Sequence, residues 1–163
     1  PENLIQQVME AGLWAPQSDN LQVIRYIVLQ GGEAKRLYQL KHCKGSPVCI
    51  IVAQDLRLYE IYQAQIPDFN RFLDCGAAVE NMLLAAHGLG LGAVWLTFER
   101  GEAGALHKEL DLPEHISLTT YIALGWPGQV KLPTGRIRVE EAQIYPKPDS
   151  NKTKEGDYHG SSH

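Results

Sequence analysis

The stretch DCGAAVENMLLAAHGLGLGAVW, residues 74–95, decides the fold. Ala77, Ala78, Val79, Met82, Leu83, Leu84, Ala85, Ala86 and Leu89 leave almost no polar face if the segment is helical. A helix apolar nearly all round is buried on most of its sides. In a chain of 163 residues that makes it a central core helix or part of a subunit interface. Gly76, Ala77 and Ala78 would let a neighbouring helix come close. Asp74 stands where a capping side chain is expected, so the pattern predicts a helix over roughly 74–89. Glu80 and Asn81 interrupt the apolar run and read as a buried hydrogen-bonded pair that fixes helix or subunit register. Gly88, Gly90 and Gly92 then end the helix, and Ala93 to Phe98 reads as a strand. The Gly-Leu-Gly-Leu-Gly run resembles a dinucleotide loop only superficially. It follows a helix and precedes a strand, the reverse of the order such a loop requires, and a glycine helix stop explains it.

Upstream, Leu4, Ile5, Val8, Met9 and Leu13 recur at helical spacing and predict an amphipathic helix over about 2–14. Pro16 stops it, because proline disfavours helical geometry in the residue before it. Residues 16–22, Pro-Gln-Ser-Asp-Asn-Leu-Gln, read as a loop. Val23 to Leu29 reads as a strand, Gly31-Gly32 breaks it, and residues 33–42 read as a short helix. Val48 to Ala53 is a continuous apolar run, expected as a strand buried on both faces. The segment 55–72 mixes Tyr59, Tyr62, Phe69 and Phe72 with charges and is interrupted by Pro67. It could be a helix followed by a loop. Downstream, a short helix is expected over 102–110, stopping near Pro113, and a strand from Leu118 to Leu124, ended by Gly125-Trp126-Pro127-Gly128. Arg136 to Ile144 is mixed, and 146–163 reads as a tail unable to form its own core. Helices and strands alternate without internal repeat, which gives an α/β or α+β layered domain. The expected organisation is one domain over 1–145 followed by a flexible tail over 146–163.

Composition narrows the function. Apolar residues make up 44 % and charged residues 21 %, and the formal net charge is −4 with no basic block. Nucleic acid is therefore not the expected partner. No apolar run reaches the roughly 18 residues of a membrane helix, so no membrane partner is expected either. The chain opens on Pro1 with no signal peptide. Its three cysteines, Cys43, Cys49 and Cys75, form neither a disulfide framework nor a zinc ribbon. Cys49, inside an apolar run, reads as a small buried hydrophobe, and reduced thiols suit a cytoplasmic protein. The six histidines do not pair at metal spacing, except for His159 and His163 in the tail, where a disordered segment is the simpler reading. No Gly-x-Ser-x-Gly, His-Glu-x-x-His or phosphate-loop motif is present. No metal is expected, and no side chain is singled out as catalytic.

Three segments, taken in order, resemble the nitroreductase family. The first is EAGLWAPQSDNLQ, residues 10–22, similar to that family's helix running into an Ala-Pro-Ser-x-x-Asn-x-Gln loop. The second is the 74–95 stretch, similar to its long central helix and following strand. The third is Leu112-Pro113 followed by Ile122-Ala-Leu-Gly-Trp-Pro127, similar to its closing strand and turn. Two departures stand out. Pro16-Gln17-Ser18 replaces the usual Pro-Ser, and Val23-Ile24 replaces the common Pro-Trp. The family's usual Arg-x-Ser-x-Arg opening, which carries phosphate-binding cations, precedes the point where this chain begins.

The resemblance implies an α+β three-layer sandwich, a mixed β-sheet flanked by helices, with the long central helix at a dimer interface. It implies a homodimeric flavoprotein with FMN sites shared between subunits. Pro16, Ser18, Asn20 and Gln22 would meet the flavin and its ribityl chain. Trp95, Leu96 and Thr97 would run beside the N5 edge, and Arg136 and Arg138 would approach the phosphate. Taken alone, the loop reads as an ordinary polar turn, and Trp95 and Trp126 read as core or interface residues; Arg136 and Arg138 read either as solvated charges or, lying on one side of an extended segment at i, i+2, as a pair sharing an anion. The implied activity is an oxidoreductase reaction in which NADH or NADPH reduces FMN and a nitroaromatic, a quinone or a similar small molecule reoxidises it. The flavin carries the hard step, so no catalytic triad is needed. The competing readings are an FMN-dependent dehydrogenase or oxidase of a peptide or small metabolite, and a flavin-free binding or structural subunit with the same fold.

Overall fold

The computed structural model describes residues 1–33, 45–62, 67–129, 132 and 134–145. The helix expected over 33–42 falls almost wholly outside these residues, as do Cys43 and the tail from 146 onward. The chain forms two compact units, Pro1–Gln129 and a second beginning at Val130.

In the first unit the elements run α1 (Glu2–Leu13), β1 (Ile24–Gln30), β2 (Val48–Asp55), α2 (Arg57–Tyr62), α3 (Asn70–Gly88), β3 (Gly92–Leu96), α4 (Glu102–Glu109) and β4 (Ile116–Gly125). The second unit contributes the single turn α5 (Val139–Ala142). The four strands lie in the order β1-β2-β4-β3. All three pairings among them are antiparallel. The mixed sheet expected from sequence is antiparallel throughout among the described residues, with no parallel pair.

Each element follows from its pattern. Strand β2 is buried from Cys49 to Asp55, as an apolar β-branched run should be when both faces of a sheet are covered. Ile50, Ile51 and Val52 are fully buried, each stabilising the fold by roughly 1.5–3 kcal/mol relative to exposure. One face carries α1 and α3, with Ile5, Val8, Val79 and Met82 packed on Ile24, Ile50, Val52 and Ile122. The other face carries α4, with Leu106 among Leu29, Ile51, Leu118 and Tyr121. The layered α+β sandwich is thus present, with β2 and β4 at its centre.

Helix α3 begins at Asn70, four residues earlier than its apolar pattern suggests, on a turn in which Asn70 N–H donates to Pro67 O (2.9 Å). Asp74 is consequently inside the helix and does not cap it, because the turn at Pro67 already starts the helix. Its C-terminus follows the expected glycine stop. Leu91 N–H reaches Ala86 O (2.8 Å) across Gly90, whose φ of +75° closes the turn.

Helices α1 and α3 are held at close range. Asn81 Nδ2 donates to Ala11 O at 3.1 Å, so Asn81 does set helix register. Glu80 is exposed and is not its buried partner, because its turn of α3 points away from both α1 and the sheet. Gly12 faces the contact directly. A Cβ there would lie 2.2 Å from Tyr26 Oη and 2.8 Å from Met82 Cγ. Gly12→Ala is expected to destabilise the fold by about 1–3 kcal/mol, the usual cost of overpacking. Urea unfolding followed by far-UV circular dichroism would measure it, and an unchanged midpoint would show that Tyr26 and Met82 can move aside freely.

Candidate functional site

The loop between α1 and β1 departs most from ordinary backbone geometry. Of the four described non-glycine residues with positive φ, three are here: Asp19 (45°), Asn20 (53°) and Gln22 (51°). Asp and Asn tolerate this region better than most residues, but left-handed geometry still costs on the order of 1 kcal/mol for each. Strain of this kind persists only where surrounding contacts over-determine it, and it clusters at functional sites.

The determining contacts are visible. Gln17 spans the loop, its Oε1 accepting from Val23 N–H at 3.0 Å. Both the N–H and the hydroxyl of Ser18 donate to Asp74 Oδ1, each at 3.0 Å. The Tyr59 hydroxyl of α2 donates to the other carboxylate oxygen, Oδ2. Burial, followed by that bond to Asp74, raises the Tyr59 phenol above its ordinary range, so it stays protonated as a donor. At the far end of the loop, Arg25 Nη1 donates to Gln22 O (2.8 Å) and Ile24 O (2.9 Å). Asn20 and Gln22 are exposed. Among the described residues their carboxamides have no partner, so each offers a donor and an acceptor to a ligand.

The same end of the sheet gathers a second polar layer. Pairing between β2 and β4 shifts register between Val52 and Ala53, and such a bulge re-aims the side chains beside it. Thr119 Oγ1 donates to Gln54 Oε1 (3.1 Å), and Gln54 Nε2 donates to Arg71 O (2.7 Å). Thr120 accepts from the Trp95 indole N–H at 2.7 Å and donates to Leu96 O. Trp95 also lies against α3, where a Cβ at Gly76 would sit 3.6 Å from its ring. The loop and the end of β3 therefore meet α3 two residues apart, at Asp74 and Gly76. Burial pushes the Cys75 thiol up to about 11, which leaves it a buried hydrophobe and not a nucleophile. Cys49 is buried as expected.

Of the residues expected at the site, the structure brings Ser18 and Trp95 to the same helix. Pro16, Asn20, Gln22 and Thr97 are exposed beside them and Leu96 is half-buried. Leu96 O is already engaged by Thr120. Trp95 and Trp126 are 43 % and 64 % exposed, so neither belongs to the core of this chain. In the second unit, Arg136 and Arg138 are exposed. Arg136 Nη1 donates to Thr134 O, Thr134 Oγ1 and Gly135 O, and Arg138 pairs with Glu141 at 3.0 Å. A cleft of about 300 Å³ lies elsewhere, at the Gly92 end of β3 between Pro47, Leu124 and Trp126. It has no ionisable lining and does not reach the strained loop.

Comparison with known proteins identifies the family. The profile of the Nitroreductase family matches residues 33–126. The chain belongs to the nitroreductase family. A protein of Methanothermobacter thermautotrophicus, named as an NADH dehydrogenase/NAD(P)H nitroreductase, is 33 % identical over 136 residues, covering 79 % of this chain and 68 % of that protein. A protein of Desulfovibrio desulfuricans, named as a nitroreductase and solved in complex with FMN, superposes with a TM-score of 0.74 at 32 % identity, over 91 % of this chain and 87 % of that one. The nitroreductase CinD of Lactococcus lactis shares the fold at a TM-score of 0.75 and 20 % identity, over 90 % of this chain and 88 % of its own.

Several members of the network lie beyond sequence reasoning. Asp74 reads as a helix cap, Gln17 as an insertion, and Tyr59 as one aromatic in an ambiguous segment. The available signal was a carboxylate flanked by Cys75, Gly76 and Ala77. A charge in so apolar a setting needs a partner, although nothing in the sequence says which.

Beneath the loop, Asp55 is buried at the end of β2, where it accepts from Arg57 Nε (2.9 Å) and pairs with Arg25 (3.5 Å). The Arg57 hydrogen bond is the main cause that lowers its pKa from 3.8 to about 2. A carboxylate with a depressed folded pKa contributes stability above its unfolded pKa and loses it as pH falls through the folded value. Stability should therefore fall between about pH 4 and pH 2, and this part of the loss should vanish in Asp55→Asn. Both guanidinium partners are largely exposed, so the effect is at most on the order of 1 kcal/mol. Urea midpoints across that pH window would check it; identical acid dependence in the variant would remove Asp55 as a cause.

Proposed function

We propose that this chain is an FMN-dependent oxidoreductase, reduced by NADH or NADPH and reoxidised by a nitroaromatic, a quinone or a similar planar acceptor. The observation that carries this reading is the 17–22 loop. It is strained, pinned at both ends, and presents unpartnered carboxamides beside the end of β3 in a nitroreductase-family chain. Its donor set fits a flavin, which needs hydrogen bonds to a polar ring edge and a polyhydroxyl chain rather than acid–base groups. Bound FMN would supply two-electron transfer at N5.

The protein's part is to bind and orient. Asn20 and Gln22 would donate to and accept from the flavin ring and ribityl chain. The Ser18 hydroxyl proton is committed to Asp74, so Ser18 would act as an acceptor. Pro16 and the Trp95–Thr97 segment would border the ring, and Arg136 and Arg138 would neutralise the phosphate. Ile61, Phe69 and Phe72 are 70 %, 59 % and 50 % exposed. Lying on α2 and at the start of α3, they offer an apolar surface for a planar acceptor.

The active form would be a homodimer with shared sites. Leu73 and Leu84 are exposed on α3, as are Leu13 and Trp14 at the end of α1, and exposed apolar surface of this kind marks an interaction face. A second copy of the chain would cover it. Leu84→Glu should convert the dimer to monomer in sedimentation velocity; a wild-type monomer would end the shared-site reading.

The deciding experiment is the visible spectrum of the purified protein, followed by FMN titration. Flavin bands near one per chain are expected, with bleaching on addition of NADH or NADPH and recovery with a nitroaromatic. No bands and no binding would favour a subunit that keeps the fold without the cofactor. Asn20→Ala should weaken FMN about tenfold, the loss of about 1.4 kcal/mol, with little change in unfolding midpoint. Arg136→Ala with Arg138→Ala should weaken FMN far more than riboflavin, which lacks the phosphate. Equal losses for both ligands would remove the arginines from the site.

A further inference from the structure

We propose that Asp74 and Tyr59 are positioning residues that hold the 17–22 loop in its left-handed, ligand-ready conformation and tie that conformation to α2. The consequence for cofactor affinity rests on the FMN reading above, but the anchoring itself does not.

The argument starts from burial. The Asp74 carboxylate is 6 % exposed, and a buried charge is tolerated only when it is paired and hydrogen-bonded. Among the described residues no cation supplies that pairing. Its three donors are Ser18 N–H, Ser18 Oγ–H and Tyr59 Oη–H. Hydrogen bonds to an ionised acceptor are about twice as strong as neutral ones. Two of them end on one loop residue, immediately before Asp19 and Asn20 turn left-handed. The third ends on α2, which carries exposed Leu58, Ile61 and Tyr62. The loop that would hold the cofactor and the helix beside the acceptor surface thus share one carboxylate. Gln17 and Arg25 fasten the other end of the loop, but neither reaches Ser18. Without Asp74, the Ser18 amide would have no partner among the described residues.

The test is amide hydrogen exchange in the cofactor-free protein, with FMN affinity measured separately by fluorescence titration. In Asp74→Ala, exchange at Ser18 should rise at least about tenfold, equivalent to about 1.4 kcal/mol of local protection. Exchange at Ile51 and Ile122, in the sheet, should rise less. In Asp74→Asn, which keeps an acceptor for Ser18, protection should be partly restored. Tyr59→Phe should loosen Ser18 to an intermediate degree. FMN affinity should fall in the same order as Ser18 protection. If Ser18 exchanges at the wild-type rate in these variants, or if the sheet amides speed up equally, Asp74 is only a structural residue and the proposal is wrong. If Ser18 is freed but FMN affinity is unchanged, the loop is anchored yet not positioned for the cofactor, which also overturns it. Should Asp74→Ala fail to fold, Asp74→Asn and Tyr59→Phe give the same decision. If the wild-type protein binds no FMN, the functional reading fails, and the exchange data alone decide whether Asp74 is the anchor.

Discussion

Asp74 occupies a helix whose other inward-facing residues, Ala78, Val79, Met82 and Ala86, are fully buried and apolar. A carboxylate in that company costs several kcal/mol unless its lone pairs are filled. Helix α3 cannot settle on the sheet until donors arrive, and no neighbouring turn of α3 supplies them. They come from the α1–β1 loop and from α2, 56 and 15 residues away in sequence. The demand of one buried charge therefore determines where a loop goes and where a short helix packs. Chain reversal after Pro16 is dictated locally, but the shape of that reversal is dictated from α3.

A second constraint acts from the sheet. The bulge between Val52 and Ala53 interrupts strict alternation in the central pair of strands. Thr119 then serves Gln54 while Thr120 serves Trp95 and Leu96. Gln54 is fully buried and would be costly without these partners. With them it links β2, β4 and α3 at one end of the sandwich. The opposite end has neither bulge nor polar layer. Its cleft is lined by glycines, Pro47, aliphatic residues and Trp126, together with Ser46, whose hydroxyl is bound to Val48 O and Leu124 O. The two ends of a single sheet thus differ in kind: the bulge and the Gln54–Thr119–Thr120–Trp95 layer are at the end that meets the strained loop.

What could be read from sequence divides along the same line. Periodicity is a local property, and it located α1, β1, β2, α3, β3, α4 and β4 to within a few residues. It erred at the start of α3 because Asp74 has two possible uses, as a helix cap or as a buried anchor, and only the fold chooses between them. It left 55–72 unresolved because α2 is a six-residue helix, too short to show a period. The loop was found through its residue types and their order. The reason those residues matter, three left-handed backbone positions held by Asp74, Gln17 and Arg25, depends on long-range pairing that no spacing rule encodes. The role of Glu80 was misjudged for a similar reason. Being next to Asn81 in sequence puts it about 100° round the helix, off the face that meets α1.

That exposed position has a further meaning. On α3, Phe69, Leu73, Glu80 and Leu84 follow one another at intervals of four and seven residues, so they form a single outward stripe. Three of the four are large apolar residues at least 59 % exposed. A helix that packs one flank on its own sheet and leaves a second apolar flank open presents a face of the kind that marks an interaction surface. Gly76, beside the stripe, is where Trp95 comes down on α3. Whatever covers the stripe must therefore also border the end of β3, and so must approach the ligand loop. If a second copy of this chain is the cover, shared construction of the site follows from the geometry of α3, because the same helix presents its partner-facing flank and anchors the loop through Asp74.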